Sequence, residues 1–446
     1  MRVAVVGLGK LGSPMAALLA SAGHEVAGAD LDPRVAAAIN AGAAPVIEPG
    51  LEDLIARAGH RLHATTSIED AVEHAEVTFC IVPTPSRPDG SFETGPAEAA
   101  FESIGRGYAR TQPGRRVAVL TSTVLPGDTE SRILPALERG YGRTLGDDLE
   151  VCYSPEFIAL GTVISDMRRP DMVLMGAAAS WAADRALEAV TSVVENGAPV
   201  ARMSIVNAEI TKLAVNTFVT TKISYANMLA EVCAEIPGAD ADVVTQAIGL
   251  DSRIGDRYLR PGAPYGGPCF PRDNAAFAFL ASSVGATADL ALATDAINRR
   301  QARSLAGRIA REVARGSSIA ILGLAYKAGT PVTEESFGVA ATCELVRRGY
   351  RVTTYDPEAG APVPGALSAT SIDEAIAGAD VVIVATAWPE FARIRRLGAR
   401  MVFDYWHQVP RGAIAPGARV VYPGAGTSPT PSRQELMDGE LVRRPA

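Results

Sequence analysis

The stretch "RVAVVGLGKLG" (residues 2–12) decides the fold, because it joins an apolar run to a helix-like stretch through closely spaced glycines. The run RVAVV is uninterrupted, as is typical of a strand covered on both faces. Glycines stand at positions 7, 9 and 12, and a helical pattern occupies residues 14–22. The chain is therefore predicted to begin with a strand, a tight glycine turn and a helix.

Similar apolar runs follow at intervals that leave room for helices. Within the first 155 residues they read "HEVAGAD", "EVTFCIV", "RRVAVLTS" and "LEVCYSP". Strands that alternate with helices indicate a parallel sheet with right-handed crossovers. The last third repeats the beginning, since "SSIAILGLAYKAG", "YRVTTYDPEA" and "GADVVIVATAW" resemble the first, second and third strand regions. The predicted fold class is α/β, with two Rossmann-like doubly wound parallel-sheet domains.

Between the two halves the pattern is helical. Residues 204–236 contain neither Gly nor Pro, and a second helical stretch runs from about residue 289 to residue 314. Helices this long rarely serve a monomer core alone, so we expect a central long-helix region that joins the sheets and forms a homodimer surface. The predicted domain boundaries are 1–200, 201–300 and 301–425. The tail 426–446, rich in Pro, Ser and charge, is predicted to be mobile.

Composition narrows the class of protein. The chain has 446 residues, 48% of them hydrophobic and 21% charged, which is ordinary for a soluble globular protein of two or three domains. A net charge of −8 argues against nucleic acid as the main partner. No apolar run approaches a membrane span, and the glycine-broken N-terminus is unlike a signal peptide. Five scattered cysteines without a CxxC pair indicate free thiols and a cytoplasmic protein, and five scattered histidines predict no metal site.

The glycine turn predicts a dinucleotide site. Gly7 permits the tight turn, Gly9 lets a pyrophosphate approach the backbone, and Gly12 allows close packing of the helix. Asp30 ends the next strand, where a carboxylate suits a ribose 2′-hydroxyl and repels a 2′-phosphate. The predicted cofactor is therefore NAD rather than NADP. The alternative is a glycine turn without a ligand.

The C-terminal half lacks the third glycine and has Lys327 in that region. Two similar halves with one dinucleotide loop suggest two different ligands, the second being nucleotide-like and held through Lys327. The alternative is a solvated surface lysine.

A candidate catalytic group combines a cysteine with polar residues of the central region. In "YGGPCFPRD" (residues 265–273), Cys269 follows two glycines and precedes Asp273. A thiolate adds readily to an aldehyde, and loss of hydride from the adduct gives a thioester that water converts to an acid. Lys212 and Asn216 are four residues apart, so they share a helix face on which both could stabilise one oxyanion. The alternatives are a buried filler cysteine and two solvent-facing polar residues.

The chain resembles the UDP-glucose/GDP-mannose dehydrogenase family from residue 1 to about residue 357. The stretches that carry the resemblance are "INAGAAPVIEPGLEDL", "CIVPTPSRPDGSFE", "TSTVLPGDT", "SPEF", "AEITKLAVNTF", "GLDSRIGDRYLRPG", "GGPCFPRD" and "LGLAYK". The resemblance implies an NAD domain, a helical middle with the dimer contact and a C-terminal domain for the nucleotide of a nucleotide sugar.

The resemblance also implies roles for individual residues. Cys269 would be the nucleophile, Lys212 and Asn216 its oxyanion partners, and Asp273, Thr123 and Glu156 the groups that position water and move protons. Arg253 resembles an arginine that reaches a neighbouring subunit's substrate. Further cofactor contacts are assigned to Lys10, Leu11, Pro83, Thr84, Thr123 and Lys327. Further substrate contacts are assigned to Phe157, Ile158, Tyr258, Tyr265, Gly266, Gly267 and Lys327.

Several positions depart from the family pattern. Leu160 stands where an acid is expected, Pro268 replaces a serine and Arg272 replaces a lysine. In "KAGTPVTEES", Glu334 takes the place of an arginine, and Gly329, Pro331 and Val332 stand at acidic positions. Such changes weaken a diphosphate site unless the lost charges paired mainly with one another.

Three functions are compatible with the sequence. The first is NAD-dependent oxidation of the C6 alcohol of a UDP-glucose-like nucleotide sugar to a uronic acid through Cys269. The second is a redox-neutral dehydratase or epimerase that oxidises a nucleoside or a less charged nucleotide sugar transiently. The third is a regulatory NAD-binding protein without activity, which the intact cysteine, lysine and acid set disfavours.

Overall fold

A computed structural model describes residues 1–111, 114–146 and 148–425 of the chain. The tail predicted to be mobile, 426–446, lies outside the described residues. The chain divides into two compact units. The first unit comprises Met1–Val215 and Ala276–Ala286, and the second comprises Asn216–Ala275 and the chain from Thr287 onward.

The first unit is built on a sheet whose strands have the order β3-β2-β1-β4-β5-β6-β7-β8. The strands are β1 Arg2–Val6, β2 Glu25–Ala29, β3 Leu62–Thr65, β4 Val77–Cys80, β5 Arg116–Leu120, β6 Leu149–Tyr153, β7 Val173–Ala177 and β8 Val200–Met203. The helices between them are α1 Gly12–Ser21, α2 Pro33–Asn40, α3 Leu51–Ala58, α4 Ile68–Val72, α5 Gly95–Ala109, α6 Leu134–Tyr141, α7 Val163–Arg168 and α8 Ser180–Thr191.

The predicted strands are present, most of them shortened at one or both ends. Residues Val3 to Val6 of β1 are at most 1% exposed, as expected of a strand covered on both faces. The predicted fold class, two Rossmann-like doubly wound parallel-sheet domains, is confirmed. One strand pair of the first sheet, β6 and β7, runs antiparallel. Antiparallel neighbours need no crossover connection, and the segment between β6 and β7 contains only the short helix α7. The strands β7 and β8 were not predicted.

The central region is helical, as predicted. Helix α9, Ile205–Ala234, begins in the first unit and continues into the second. It is followed by α10 Ala241–Gly249, α11 Phe270–Ser283 and α12 Asp289–Glu312. The boundaries of α9 and α12 agree with the prediction to within about two residues, which is the usual uncertainty of helix ends. Among the described residues, none of the helices has the combination of length and apolar character that crossing a membrane requires.

The second unit contains a parallel sheet of order β11-β10-β9-β12-β13-β14. Its strands are β9 Ser318–Leu322, β10 Arg351–Tyr355, β11 Leu367–Ser368, β12 Val381–Val384, β13 Met401–Asp404 and β14 Arg419–Val421, and its helices are α13 Phe337–Arg347 and α14 Ile372–Ile376. The order of its first five strands matches β3-β2-β1-β4-β5 of the other sheet, which confirms the internal repeat.

The two sheets also share an equivalent hydrogen bond between an aspartate and the turn after the first strand. In the first unit the Asp30 carboxylate accepts a bond from the Leu8 N–H at 2.8 Å. In the second unit the Asp356 carboxylate accepts one from the Leu324 N–H at 2.7 Å. Both acids end the second strand of their motif and close the turn that follows its first strand.

Candidate active site

The glycine turn after β1 has the space that a bound pyrophosphate needs. A Cβ atom on Gly7 would lie 2.3 Å from the carbonyl oxygen of Ile81, and one on Gly12 would lie 1.7 Å from the carbonyl oxygen of Gly7. Gly9 differs, because a Cβ atom added to it would have no protein atom within 4 Å. Gly7 and Gly12 are thus required by the fold, whereas Gly9 leaves open space at the N-terminus of α1. Lys10 is exposed beside it, and Leu11 is partly buried.

Asp30 is held by backbone donors at the end of β2. Its Oδ2 accepts from Leu8 N at 2.8 Å and its Oδ1 accepts from Asp32 N at 2.9 Å. These bonds fix the carboxylate beside the glycine turn, at the position where a ribose hydroxyl is expected. Glycine turn and carboxylate together fit a dinucleotide without a 2′-phosphate.

The loops after β4 and β5 meet at the carboxyl edge of the same sheet. The Thr84 hydroxyl is buried and donates to the carbonyl oxygen of Thr123 at 2.7 Å. Thr123 is partly buried, and Pro83 beside Thr84 is exposed. Ligands of open α/β sheets bind outside the carboxyl ends of the strands, so these three residues occupy the expected edge.

Lys212 on α9 is fixed by the loop after β6. Its Nζ donates to the carbonyl oxygen of Glu156 at 2.7 Å and lies 4.5 Å from the ring centroid of Phe157. The side chain is 7% exposed. The structure therefore rules out a solvent-facing lysine, and a buried ammonium held by a carbonyl and an aromatic face can stabilise negative charge nearby.

Glu156 carries a carboxyl group in largely apolar surroundings. It lines a cavity with Met15, Phe79 and Met167. Burial raises the pKa of Glu156 to about 7, and the positive charge of Lys212 opposes that rise. A carboxyl group with such a pKa can exchange protons near neutral pH. Ile158 and Leu160 follow in the same segment and pack against the hydrophobic core. The acid expected at position 160 is thus replaced by an apolar side chain that contributes to packing.

Glu209 is a buried acid that sequence reasoning passed over. It lies on α9 one turn before Lys212 and is fully buried. Its carboxylate accepts from the N–H groups of Gly127 at 2.6 Å and Thr129 at 3.0 Å. Glu209 thereby ties the helix that carries Lys212 to the loop that follows Thr123. The signal in the sequence was an acid on the same helix face as Lys212 and Asn216.

In the second unit, Asn216 is buried and bonds to Asp273. Its Nδ2 donates to Asp273 Oδ2 at 2.5 Å, and Arg272 Nε donates to Asp273 Oδ1 at 3.1 Å. Asp273 itself is fully buried. The carboxylate is therefore charge-paired and hydrogen-bonded on both oxygens, which is how a buried charge is retained. Arg272, which replaces the expected lysine, supplies one of these bonds.

Cys269 directly precedes helix α11. The Asp273 N–H donates to its carbonyl oxygen at 2.8 Å, which makes Cys269 the residue at the start of the first helical turn. The cysteine is exposed, in contrast to the buried Cys80, Cys152 and Cys233. The interpretation as a buried filler is therefore wrong. The N-terminus of a helix stabilises a thiolate, so this position favours a reactive sulfur.

Tyr265 is anchored by helix α12. Asn298 brackets its backbone, accepting from the Tyr265 N–H at 2.9 Å and donating to the Tyr265 carbonyl at 2.8 Å. The Tyr265 hydroxyl donates to Asp295 at 2.6 Å and accepts from Asn274 at 2.9 Å. The buried tyrosine thus fixes the start of the loop that leads to Cys269.

The remaining predicted contacts lie in the second unit. Arg253 is 87% exposed and pairs with Asp251 at 2.7 Å. Tyr258 is 56% exposed and has a φ of +61°, an uncommon backbone conformation outside glycine that often marks functional sites. Lys327 is partly buried rather than freely solvated. Gly266 and Gly267 face Tyr326 and the backbone of Glu335.

Comparisons with known proteins point to the same family in all three parts of the chain. Three models of the UDP-glucose/GDP-mannose dehydrogenase family match: the NAD binding domain over residues 1–195, the central domain over residues 206–300 and the UDP binding domain over residues 320–411. The UDP-glucose 6-dehydrogenase AglM of Haloferax volcanii is 37% identical over 88% of this chain and 93% of its own. The GDP-mannose 6-dehydrogenase of Azotobacter vinelandii is 31% identical over 89% of this chain and 94% of its own.

A solved structure shows the same fold. The UDP-glucose dehydrogenase of Pyrobaculum islandicum superposes with a TM-score of 0.85 at 33% identity, covering 95% of this chain and 97% of that one. The match includes the NAD domain, so NAD is the cofactor that the glycine turn and Asp30 accommodate. The chain therefore belongs to the UDP-glucose/GDP-mannose dehydrogenase family and is one of its NAD-dependent nucleotide-sugar dehydrogenases.

Proposed function

We propose that this enzyme oxidises the C6 alcohol of a UDP-glucose-like nucleotide sugar to a uronic acid through a covalent adduct on Cys269. The observation that carries the proposal is the exposure of Cys269 at the N-terminus of α11, combined with paired polar groups on α9. An exposed thiol in this position is suited to attack an aldehyde. A relative that is 37% identical is named a UDP-glucose 6-dehydrogenase.

The proposed reaction assigns the residues to successive steps. Lys212 and Asn216 stabilise the oxygen at C6 as it gains charge, and Asp273 takes up the proton that the alcohol loses. NAD bound at the glycine turn would supply the hydride acceptor, so two NAD molecules in succession are consumed, one for the alcohol and one for the thiohemiacetal on Cys269. Glu156 and Thr123 then orient the water that cleaves the thioester, which releases the carboxylic acid and restores the thiol.

The balance of the reaction provides the test. One sugar and one water should yield one uronic acid and two NADH, measured by absorbance and product mass with UDP-glucose and GDP-mannose as substrates. Cys269→Ser should abolish acid formation. Acid formation by Cys269→Ser, or absence of NADH with every nucleotide hexose, would refute the proposal. A product of unchanged oxidation state that retains deuterium from C6 would instead support redox-neutral chemistry.

We also propose a domain arrangement and a dimer. The division into residues 1–200 for NAD, 201–300 for the central region and 301–425 for the substrate nucleotide is supported by family matches at 1–195, 206–300 and 320–411. The dimer is supported by exposed apolar side chains at intervals of seven on α9, namely Phe218, Tyr225 and Val232. Residues so spaced share one helix face.

A further inference from the structure

The second unit inserts a loop into the turn where the first unit accommodates its dinucleotide. In the first unit the glycine that packs against Gly7 is Gly12, five residues later. In the second unit the corresponding close contact joins Gly323 to Gly338, whose Cβ position lies 2.1 Å from the carbonyl oxygen of Gly323. Residues 326–336, here called the inserted loop, fill the interval between strand β9 and helix α13.

The inserted loop has a defined conformation. The Tyr326 N–H donates to the carbonyl oxygen of Val332 at 2.9 Å, and the Ser336 N–H donates to that of Thr333 at 3.2 Å. Glu335 has a φ of +49°, which costs a residue other than glycine about 1 kcal/mol. Surrounding contacts must hold this residue in place, because an isolated loop would relax to negative φ.

Those contacts come from the loop that precedes the nucleophile, residues 265–269, here called the cysteine loop. The Gly267 N–H donates to the carbonyl oxygen of Glu334 at 2.9 Å. A Cβ on Gly266 would lie 2.4 Å from the carbonyl oxygen of Glu335. A Cβ on Gly267 would lie 2.6 Å from Cε2 of Tyr326. The paired glycines therefore admit the inserted loop and the Tyr326 ring at contact distance.

The other end of the cysteine loop is already fixed. Tyr265 is bracketed by Asn298 and bonded to Asp295, both on helix α12. Cys269 starts helix α11. The backbone freedom between these anchors resides in Gly266 and Gly267, and the inserted loop contacts both of them.

We infer that Tyr326 is a positioning residue for Cys269, through which a nucleoside diphosphate bound to the C-terminal domain changes the reactivity of the thiol. The inserted loop lies within the match to the family's UDP binding domain, and Lys327 follows Tyr326 directly. A diphosphate that engages Lys327 displaces the neighbouring Tyr326 ring. Because that ring lies against the backbone of Gly267, its displacement moves the segment that leads to Cys269. The inference rests on the proposed role of Cys269 as nucleophile.

Alkylation of Cys269 by iodoacetamide measures the thiol without turnover. The rate at Cys269 is followed by peptide mass spectrometry on the full chain, with and without saturating UDP or GDP. Exposed Cys343 is the internal reference, because it lies on helix α13 outside both loops. We expect at least one nucleotide to change the Cys269 rate threefold or more while the Cys343 rate stays constant. Constant Cys269 rates with both nucleotides would overturn the inference, and the nucleotide that acts identifies the base.

Variants test whether Tyr326 carries the effect. Tyr326→Phe keeps the ring on Gly267 and should preserve the nucleotide effect, whereas Tyr326→Ala should abolish it at nucleotide concentrations that calorimetry shows to saturate. Gly267→Ala forces a clash with the ring, in addition to the backbone strain of a side chain at a φ of +82°, and should change the Cys269 rate without any nucleotide. Adding Tyr326→Ala to Gly267→Ala removes the clash and should restore part of that rate.

Two results would overturn the role of Tyr326: an undiminished nucleotide effect in Tyr326→Ala, or no restoration in the double variant. The same experiments separate this inference from the proposed function. If Cys269→Ser loses acid formation but the alkylation rates ignore Tyr326, the nucleophile stands and the coupling fails. If Cys269→Ser still forms the acid, the proposed function fails, and the alkylation data then describe only a structural contact.

Discussion

At the scale of the residue, burial sets the protonation equilibrium of Glu156. Its carboxyl group lines an apolar cavity, and loss of hydration raises its pKa to about 7. The nearby charge of Lys212 favours the ionised form and keeps the pKa from rising further. Glu156 can therefore change protonation state at neutral pH, where an exposed glutamate would remain ionised.

This pKa predicts a pH dependence of the reaction. Glu156 accepts a proton from water only as a carboxylate, so kcat should rise as pH increases through about 7. Glu156→Gln should lower kcat and remove that rise. The measurement is a pH–rate profile of both proteins, with exposed Glu52→Gln as control. An unchanged profile in Glu156→Gln would show that another group titrates.

A second prediction concerns the open position in the glycine turn. No protein atom lies within 4 Å of a Cβ on Gly9, so Gly9→Ala should fold normally, with a Tm within about 1 °C of the wild type. The added methyl group occupies space that the pyrophosphate needs, and NAD affinity should fall about tenfold, or about 1.4 kcal/mol. Calorimetric titration with NAD measures the loss.

The matched control for Gly9→Ala is Gly398→Ala. Gly398 is likewise open around its Cβ position and does not adopt positive φ. This variant should bind NAD as the wild type does. Equal NAD affinity of Gly9→Ala and Gly398→Ala would contradict the assigned position of the pyrophosphate.

At the scale of the element, helix α9 aligns buried polar groups along one face. Glu209, Lys212 and Asn216 follow at intervals of three and four residues, and each is at most 7% exposed. Each bonds to a different segment: the turn at Gly127, the carbonyl of Glu156, and Asp273. The position of the helix along its axis is thus set by three hydrogen-bonded contacts, because a shift would leave buried polar groups without partners.

Substitution of Glu209 tests how much these hydrogen-bonded contacts of α9 contribute to stability. Glu209→Ala should leave two backbone N–H groups without their acceptor and destabilise the protein by about 2 to 4 kcal/mol. Tm should fall by about 4 °C or more, since each kcal/mol corresponds to about 2 to 4 °C in a unit of this size. Scanning calorimetry measures the shift.

Glu209→Gln separates hydrogen bonding from packing. It keeps one acceptor oxygen and most of the volume, so its Tm should lie between those of Glu209→Ala and the wild type. If Glu209→Ala melted like the wild type, the turn at Gly127 would have to find its acceptor elsewhere.

At the scale of the whole molecule, the exposed side chains of α9 predict self-association. Phe218 is 63% exposed, Tyr225 46% and Val232 52%, and burial of the exposed half of each side chain in a dimer is favourable by about 1 kcal/mol. Phe218→Glu and Tyr225→Glu should each shift the protein from dimer toward monomer. Sedimentation velocity over a range of concentrations measures the shift.

The control for self-association is an exposed apolar residue on a different element. Leu367 is 71% exposed on strand β11, and Leu367→Glu should sediment as the wild type does. Dimers of unchanged stability in both helix variants would exclude this face of α9 as the contact.

Local sequence was sufficient to predict much of the fold. The strand at residues 2–6, the glycine turn and the long helices follow from short-range patterns, because hydrophobic period and glycine placement act over a few residues. Strand β7 was not predicted, and its antiparallel pairing with β6 depends on contacts between segments separated in sequence. The candidate site divides in the same way: motifs identified Lys212, Asn216, Glu156 and Asp273, but only the structure showed which of them bond to one another.

The sequence by itself determined the family, the NAD turn and the identity of the candidate nucleophile, because these are encoded in contiguous motifs. Only the tertiary structure showed that Glu156 lies in apolar surroundings, that Glu209 holds a turn, and that Gly266 and Gly267 accommodate the inserted loop. The physical reason is that burial and hydrogen-bond partners arise from residues distant in the chain. A protonation state or a glycine requirement set by such neighbours has no local signature in the sequence.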